Sequence, residues 1–157
     1  MRKIILVSLF SILLLACKSN SATATKIDSK SQVMIKGNWK ISSINYPGSD
    51  VIKVTSFDLA DSKCFIESTW KFISMSNKGN MVINSSSCTP YSTPISWFIN
   101  KEGEFVLKIL DERKAKKVKS GYVLRVANLT ENSFQLIDKI DVAGNLTDIV
   151  YQFQKLN

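Results

Sequence analysis

Few side chains in this chain are equipped for chemistry. There are three cysteines and no histidine. Without imidazole there is no histidine-based catalytic triad, no histidine proton shuttle and no His-ligated metal or haem. No CxxC pair and no Gly-rich phosphate loop occurs. Carboxylates lie close in sequence at Asp58/Asp61, Glu102/Glu104 and Asp111/Glu112. All three pairs fall at expected turns or strand ends, where solvated charge is their ordinary use. The chain therefore reads as a non-enzyme with no catalytic residue, no cofactor and no metal, a hydrolase being the weakest of its readings. The rings Trp39, Trp70, Trp97, Phe105, Tyr122, Phe134 and Tyr151 have two uses open to them. They fill the core of a small domain, or they wall a cavity for an apolar or amphipathic ligand. Trp39, Trp97, Phe105, Tyr122, Phe134 and Tyr151 are the candidate cavity residues.

Cys17 has a different context. Arg2 and Lys3 are followed by thirteen uncharged residues, Ile4 to Ala16. A membrane-crossing helix needs roughly 20 apolar residues, so this run is short for a span. A basic start, a short apolar run and a small residue before a cut make a secretory signal, residues 1–16. Leu14-Leu15-Ala16-Cys17 resembles the lipobox of bacterial lipoproteins. The resemblance implies cleavage before Cys17 and a diacylglycerol on its sulfur, palmitate being a typical chain. Each buried methylene contributes about 0.8 kcal/mol, so two or more chains anchor stably. Lys18, rather than Asp, follows the cysteine. By the same resemblance this implies an outer-membrane lipoprotein facing the periplasm, surface exposure being the other option.

Cleavage leaves 141 of the 157 residues, enough for one domain with a real core. Loss of Arg2 and Lys3 lowers the basic residues from 21 to 19 against 13 acidic ones, a side-chain charge of about +6. That charge suits anionic envelope material. Nucleic acid is not an expected partner of an exported chain that lacks nucleic-acid-binding signatures. Cys64 and Cys88 remain, and an even pair in an oxidising compartment reads as a disulfide. With Asn77-Lys78-Gly79-Asn80 as a tight turn, position 64 faces 93 rather than 88, so one segment must bend off the ladder for the sulfurs to meet.

Residues 17–34 are the lipidated cysteine and linker. Lys18 to Ser31, polar apart from Ile27, has the composition of a leash spanning roughly 20 Å. From residue 35 to 157 the pattern is that of one β domain. Eight segments rich in Val, Ile, Phe, Tyr and Trp lie at about 37–46, 64–74, 79–85, 93–100, 103–111, 119–129, 132–141 and 146–155. Gly/Asn turns separate most of them, so consecutive strands should pair antiparallel. Phe134 and Leu136 share one face; Ile149, Tyr151 and Phe153 share another, against Asp148, Gln152 and Gln154. Eight such strands must close to hide one apolar side. The expected fold is an all-β, eight-stranded antiparallel up-and-down barrel with no long C-terminal helix. Its interior would be filled by side chains or hold one small ligand. Pro47 to Lys63 is long enough for a lid. Arg113 to Lys119, with four lysines, is either a solubilising hairpin tip or a contact for anionic headgroups.

Gly37-Asn38-Trp39, opening the first strand, is similar to the Gly-x-Trp of lipocalins. Together with Phe57-Asp58-Leu59, Cys64, Trp70-Lys71-Phe72, Ile95-Ser96-Trp97 and Asn145-Leu146-Thr147 to Tyr151-Gln152-Phe153, it resembles the lipocalin-like lipoproteins of Bacteroidetes over about residues 35–155. The resemblance implies a lipid-anchored envelope barrel that binds or carries a small hydrophobic or amphipathic ligand. The alternative is a filled barrel that docks to an envelope protein or serves a structural role.

Overall fold

The computed structural model of the chain describes residues 29–110, 121–142 and 144–157. The signal segment, Cys17, Asp111/Glu112 and the Arg113–Lys119 link lie outside the described residues. The chain runs through a short helix α1 (Ser29–Ile35), β1 (Gly37–Asn45), a two-residue pair β2 (Thr55–Ser56) and β3 (Ala60–Asp61), then β4 (Thr69–Ile73), β5 (Lys78–Ile83), β6 (Tyr91–Ile99), β7 (Phe105–Ile109), β8 (Tyr122–Ala127), β9 (Ser133–Val142) and β10 (Asn145–Lys155). Among the described residues eight strands close a barrel in the order β1-β10-β9-β8-β7-β6-β5-β4, with β4 returning to β1. Every neighbouring pair is antiparallel. This is the up-and-down barrel that the alternation predicts.

The longest ladder is β9–β10. There Phe134 faces Phe153 and Leu136 faces Tyr151, all four buried. The opposite face carries Gln135 and Gln152, whose amides join at 2.9 Å. In β1 the period of two breaks: a register shift between Ile41 and Ser43 inserts a bulge. One extra residue flips the faces that follow, so Ile44 points inward as Trp39 and Ile41 do. All three are buried.

Two expectations about the 64–80 region change. Residues 64–68 are not strand, because Ser62–Phe65 form a 3-10 turn that the Asp61 carboxylate caps through the Lys63 amide at 2.9 Å. The β4–β5 turn is Ser74 to Asn77, not Asn77 to Asn80. Asn77 takes the left-handed conformation at φ 54. Gly79 lies inside β5, where a Cβ would run into the Lys71 carbonyl oxygen; close backbone approach, not turning, requires glycine there. With Thr69 facing Val82, the same register extrapolates position 64 to Ser87, next to Cys88. The conflict over the disulfide disappears. Cys64 and Cys88 are bonded, with Cα atoms 5.8 Å apart.

The strand directions give the barrel two distinct ends. The lower end carries α1 and the links 74–77, 100–104 and 128–132. The upper end carries the Pro47–Lys63 link, the Cys88 link and the flanks of the 111–120 segment. A seven-residue helix is unstable by itself, so tertiary bonds must hold α1 across the lower end. Trp39 Nε1 donates to the Ile35 carbonyl at 2.7 Å, and Gln32 Nε2 donates to Asn77 Oδ1 at 2.7 Å and to the Ser74 carbonyl at 3.1 Å. Residues Ser29 to Ser31, expected as the end of the leash, thus belong to this helix.

Candidate functional site at the upper mouth

Of the six candidate cavity residues, four sit in the barrel from its middle to its lower end. Trp39 meets Phe134 edge-on at 4.7 Å between centroids, and Trp97 stacks on Phe105 at 5.5 Å. Phe72 joins the two pairs, lying 5.1 Å from Trp97, 5.5 Å from Phe105 and 6.4 Å from Phe134. The Lys155 ammonium covers the Trp39 ring at 5.6 Å, in cation–π geometry. The three indole N–H groups donate to the Ile35 carbonyl, Ser68 Oγ and the Lys78 carbonyl. Tyr122 and Tyr151 are apart from this group, at the upper mouth, where Phe57 joins them.

Phe57 arrives on the Pro47–Lys63 link. Pro47 to Asp50 turn the chain over the mouth, with the Tyr46 hydroxyl donating to the Ile52 carbonyl at 2.8 Å. β2 and β3 then form a miniature hairpin with a three-residue loop, Phe57 to Leu59; the Leu59 amide closes a turn on the Ser56 carbonyl at 3.0 Å, and the two central residues of that turn, Phe57 and Asp58, have φ of 54 and 50. Positive φ at both central positions is the turn that normally takes Asn-Gly. A left-handed residue with a Cβ costs roughly 1–2 kcal/mol. The Phe57 ring offsets this cost. It is 5% exposed and packs against Tyr151 at 5.2 Å, Phe65 and Tyr122 at 5.3 Å and Trp70 at 6.1 Å. Each such pair contributes about 0.5–1.5 kcal/mol beyond its buried area, so the four outweigh the strain.

The polar groups of the mouth hold the hairpin down. The Tyr122 hydroxyl donates to the Phe57 carbonyl at 2.6 Å, and the Tyr151 hydroxyl shares a 2.6 Å hydrogen bond with Ser56 Oγ. Burial pushes the Tyr122 phenol up to about 12, helped by the Asp58 charge beside it. Burial also raises Tyr151, against the lowering effect of its Ser56 bond. Asp138 shares the inward face of β9 with Phe134 and Leu136, and its partial burial raises its carboxyl. The other inward positions of β9 towards the rim, Ile140 and Val142, are half-buried. The mouth is thus an apolar rim with a plugging ring, two neutral phenols and one inward carboxylate. The disulfide ties the 3-10 turn that follows the hairpin to the β5–β6 link at this same end.

Eleven rings, from Trp97 at the lower end to Tyr122 at the upper, form one linked set with centroid separations of 4.6 to 6.5 Å. Phe57, Phe65, Phe72 and Phe153 belong to it besides the seven rings weighed above for a core or a cavity wall. Phe72 and Phe153 share faces with Trp70 and Tyr151, a signal that alternation offered. Phe57 had none, since a phenylalanine at a left-handed hairpin position follows no turn preference. Two of the carboxylates close in sequence do structural work: Asp61 caps the 3-10 turn, and Glu104 accepts from Asn100 Nδ2 at 2.9 Å.

No protein-family model matches the chain, and no curated protein does. Among solved structures it is similar to a complex of bovine odorant-binding protein with a selenium-containing odorant, at 12% identity and a TM-score of 0.47 over 80% of this chain and 73% of that one. It is also similar to the odorant-binding protein from bovine nasal mucosa, at 13% identity and a TM-score of 0.45 over 79% and 72%. The fold assignment rests on the chain's own strand pairing, a closed antiparallel barrel of eight strands among the described residues.

Proposed function

We propose that this chain is a lipid-anchored envelope protein that takes a small hydrophobic or amphipathic ligand at the upper mouth of its barrel. The anchor would be an acylated Cys17 exposed by removal of residues 1–16, and the location the periplasmic face of the outer membrane. The observation that carries the binding reading is the plug. A single aromatic ring fills the mouth from a backbone conformation that phenylalanine disfavours, on a two-strand hairpin outside the main sheet. Swinging it out relieves that strain and exposes an aromatic site between Phe65, Trp70, Tyr122 and Tyr151. A ligand's apolar surface would replace the ring there, gaining about 25 cal/mol per Å² removed from water. The mechanism is passive and uses no bond-making step.

The continuous set of rings favours a second reading, a filled barrel that serves as a docking or structural module. Native mass spectrometry of detergent-free protein with added palmitate separates the two. Ligand binding predicts a one-to-one adduct, with tighter binding in Phe57→Ala, where the ring's place is vacant. No adduct in either protein sinks the binding reading. The anchor is tested separately, by palmitate incorporation and its loss in Cys17→Ala.

A further inference from the structure

The lower end of the barrel carries exposed apolar side chains that the fold does not use. Met75, in the β4–β5 turn, is 96% exposed, and Val33 on α1 is 63% exposed. Gln32 bonds α1 to that turn through Ser74 and Asn77, so helix and turn form one surface. Ile73, at the end of β4, is exposed beside them. Lys30 and Lys36 stand on either side of Val33 in the helix segment, and Lys78 follows the turn; all three are exposed. Of the acidic residues of this end, Glu102 and Glu104 lie with Lys101 in the link that follows Ile99, whose amide donates to Gln32 Oε1 of α1 at 3.4 Å, and Glu131 lies in the link 128–132. A flexible methionine and a valine between lysines suit an interface where apolar groups enter the acyl boundary and ammonium groups meet phosphates.

We propose that this lower face rests on the bilayer to which Cys17 tethers the chain. The inference depends on the acylated Cys17 of the proposed function. Where the chain enters the barrel supports it. Cys17 precedes Ser29, the first residue of α1, by twelve positions. A polar segment of that length spans roughly 19 Å on average, while the nine residues of β1 cover about 30 Å along the strand. The end carrying α1 therefore stays nearest the anchor, and the lysines match an anionic lipid surface. The plugged mouth then faces the aqueous compartment, so ligand is exchanged with that phase rather than with the anchoring bilayer.

The test uses the full acylated chain in vesicles of phosphatidylethanolamine and phosphatidylglycerol. Nitroxide labels are placed at Met75→Cys and Val33→Cys on the lower face and at Leu146→Cys at the upper end, all exposed sites. Mass analysis of each sample reports acylation of Cys17. The expected result is at least a fivefold fall, on vesicle binding, in collision of the 75 and 33 labels with a water-soluble nickel chelate, with a matching gain in collision with oxygen. The 146 label should not change. An acylated protein whose 75 and 33 labels stay in water, or whose 146 label enters the lipid, overturns the orientation alone. Labels at 75 and 33 shielded from both reagents would mean a protein contact and also overturn it. An unacylated Cys17 overturns the tether and the orientation together.

Discussion

Replacing Phe57 by alanine and by glycine separates what its ring does from what its backbone costs. Both substitutions delete a ring that is buried against four others. Removal of a core phenylalanine typically costs 3–5 kcal/mol, and for a ring at the mouth we expect about 3 kcal/mol. The two variants differ only in backbone preference. Alanine at φ 54 keeps a left-handed penalty of roughly 1–2 kcal/mol. Glycine escapes it but loses roughly 0.5–1 kcal/mol through the greater freedom of its unfolded chain. Glycine should therefore be the more stable of the two by about 0.5–1 kcal/mol, the reverse of their order in a regular strand or helix. Urea unfolding of the three proteins reads this directly; with a slope of about 1–3 kcal/mol per molar, the variants should separate by a few tenths of a molar in midpoint. If alanine equals or exceeds glycine, the left-handed hairpin is wrong. If both cost under about 1 kcal/mol, the ring is not the plug described above.

Other outcomes follow from the same geometry. Reducing Cys64–Cys88, which closes a separation of 24 residues, should cost about 2–4 kcal/mol in urea unfolding with and without dithiothreitol; equal midpoints would mean the bond is not formed. Gly79→Ala places a methyl group against the Lys71 carbonyl and should cost about 1–3 kcal/mol by strain, and an unchanged midpoint would contradict the strand position of Gly79. Tyr122 is raised from 10.0 to about 12 in the folded protein, so above pH 10 the unfolded chain releases its proton first. Its stabilising contribution is complete below pH 10 and is lost as pH rises towards 12. Tyr122→Phe should flatten that part of the stability–pH curve and remove a late-titrating tyrosinate from the absorbance difference spectrum. A transition near pH 10 for this group would contradict its burial.

How legible the chain was depends on the range of the interactions. Strand faces have a period of two and are a local property. Phe134 and Leu136 against Gln135, and Ile149, Tyr151 and Phe153 against Gln152, could be read residue by residue and are realised in the β9–β10 ladder. Eight amphipathic strands with short links leave few ways to hide one apolar face, so closure into a barrel was also legible. The Cys64–Cys88 pair followed from counting thiols. What only the tertiary structure decided is non-local. The bulge that turns Ile44 inward exists because β1 must pair with β10 and β4 at once. The turn falls at Ser74–Asn77 because Gly79 is needed where Lys71 comes too close for a Cβ. Phe57 pays its backbone strain only because Phe65, Trp70, Tyr122 and Tyr151 converge from distant parts of the chain to receive its ring. Alternation names the face on which a side chain lies; which rings meet across the barrel, and which end each link closes, is set by packing among residues tens of positions apart.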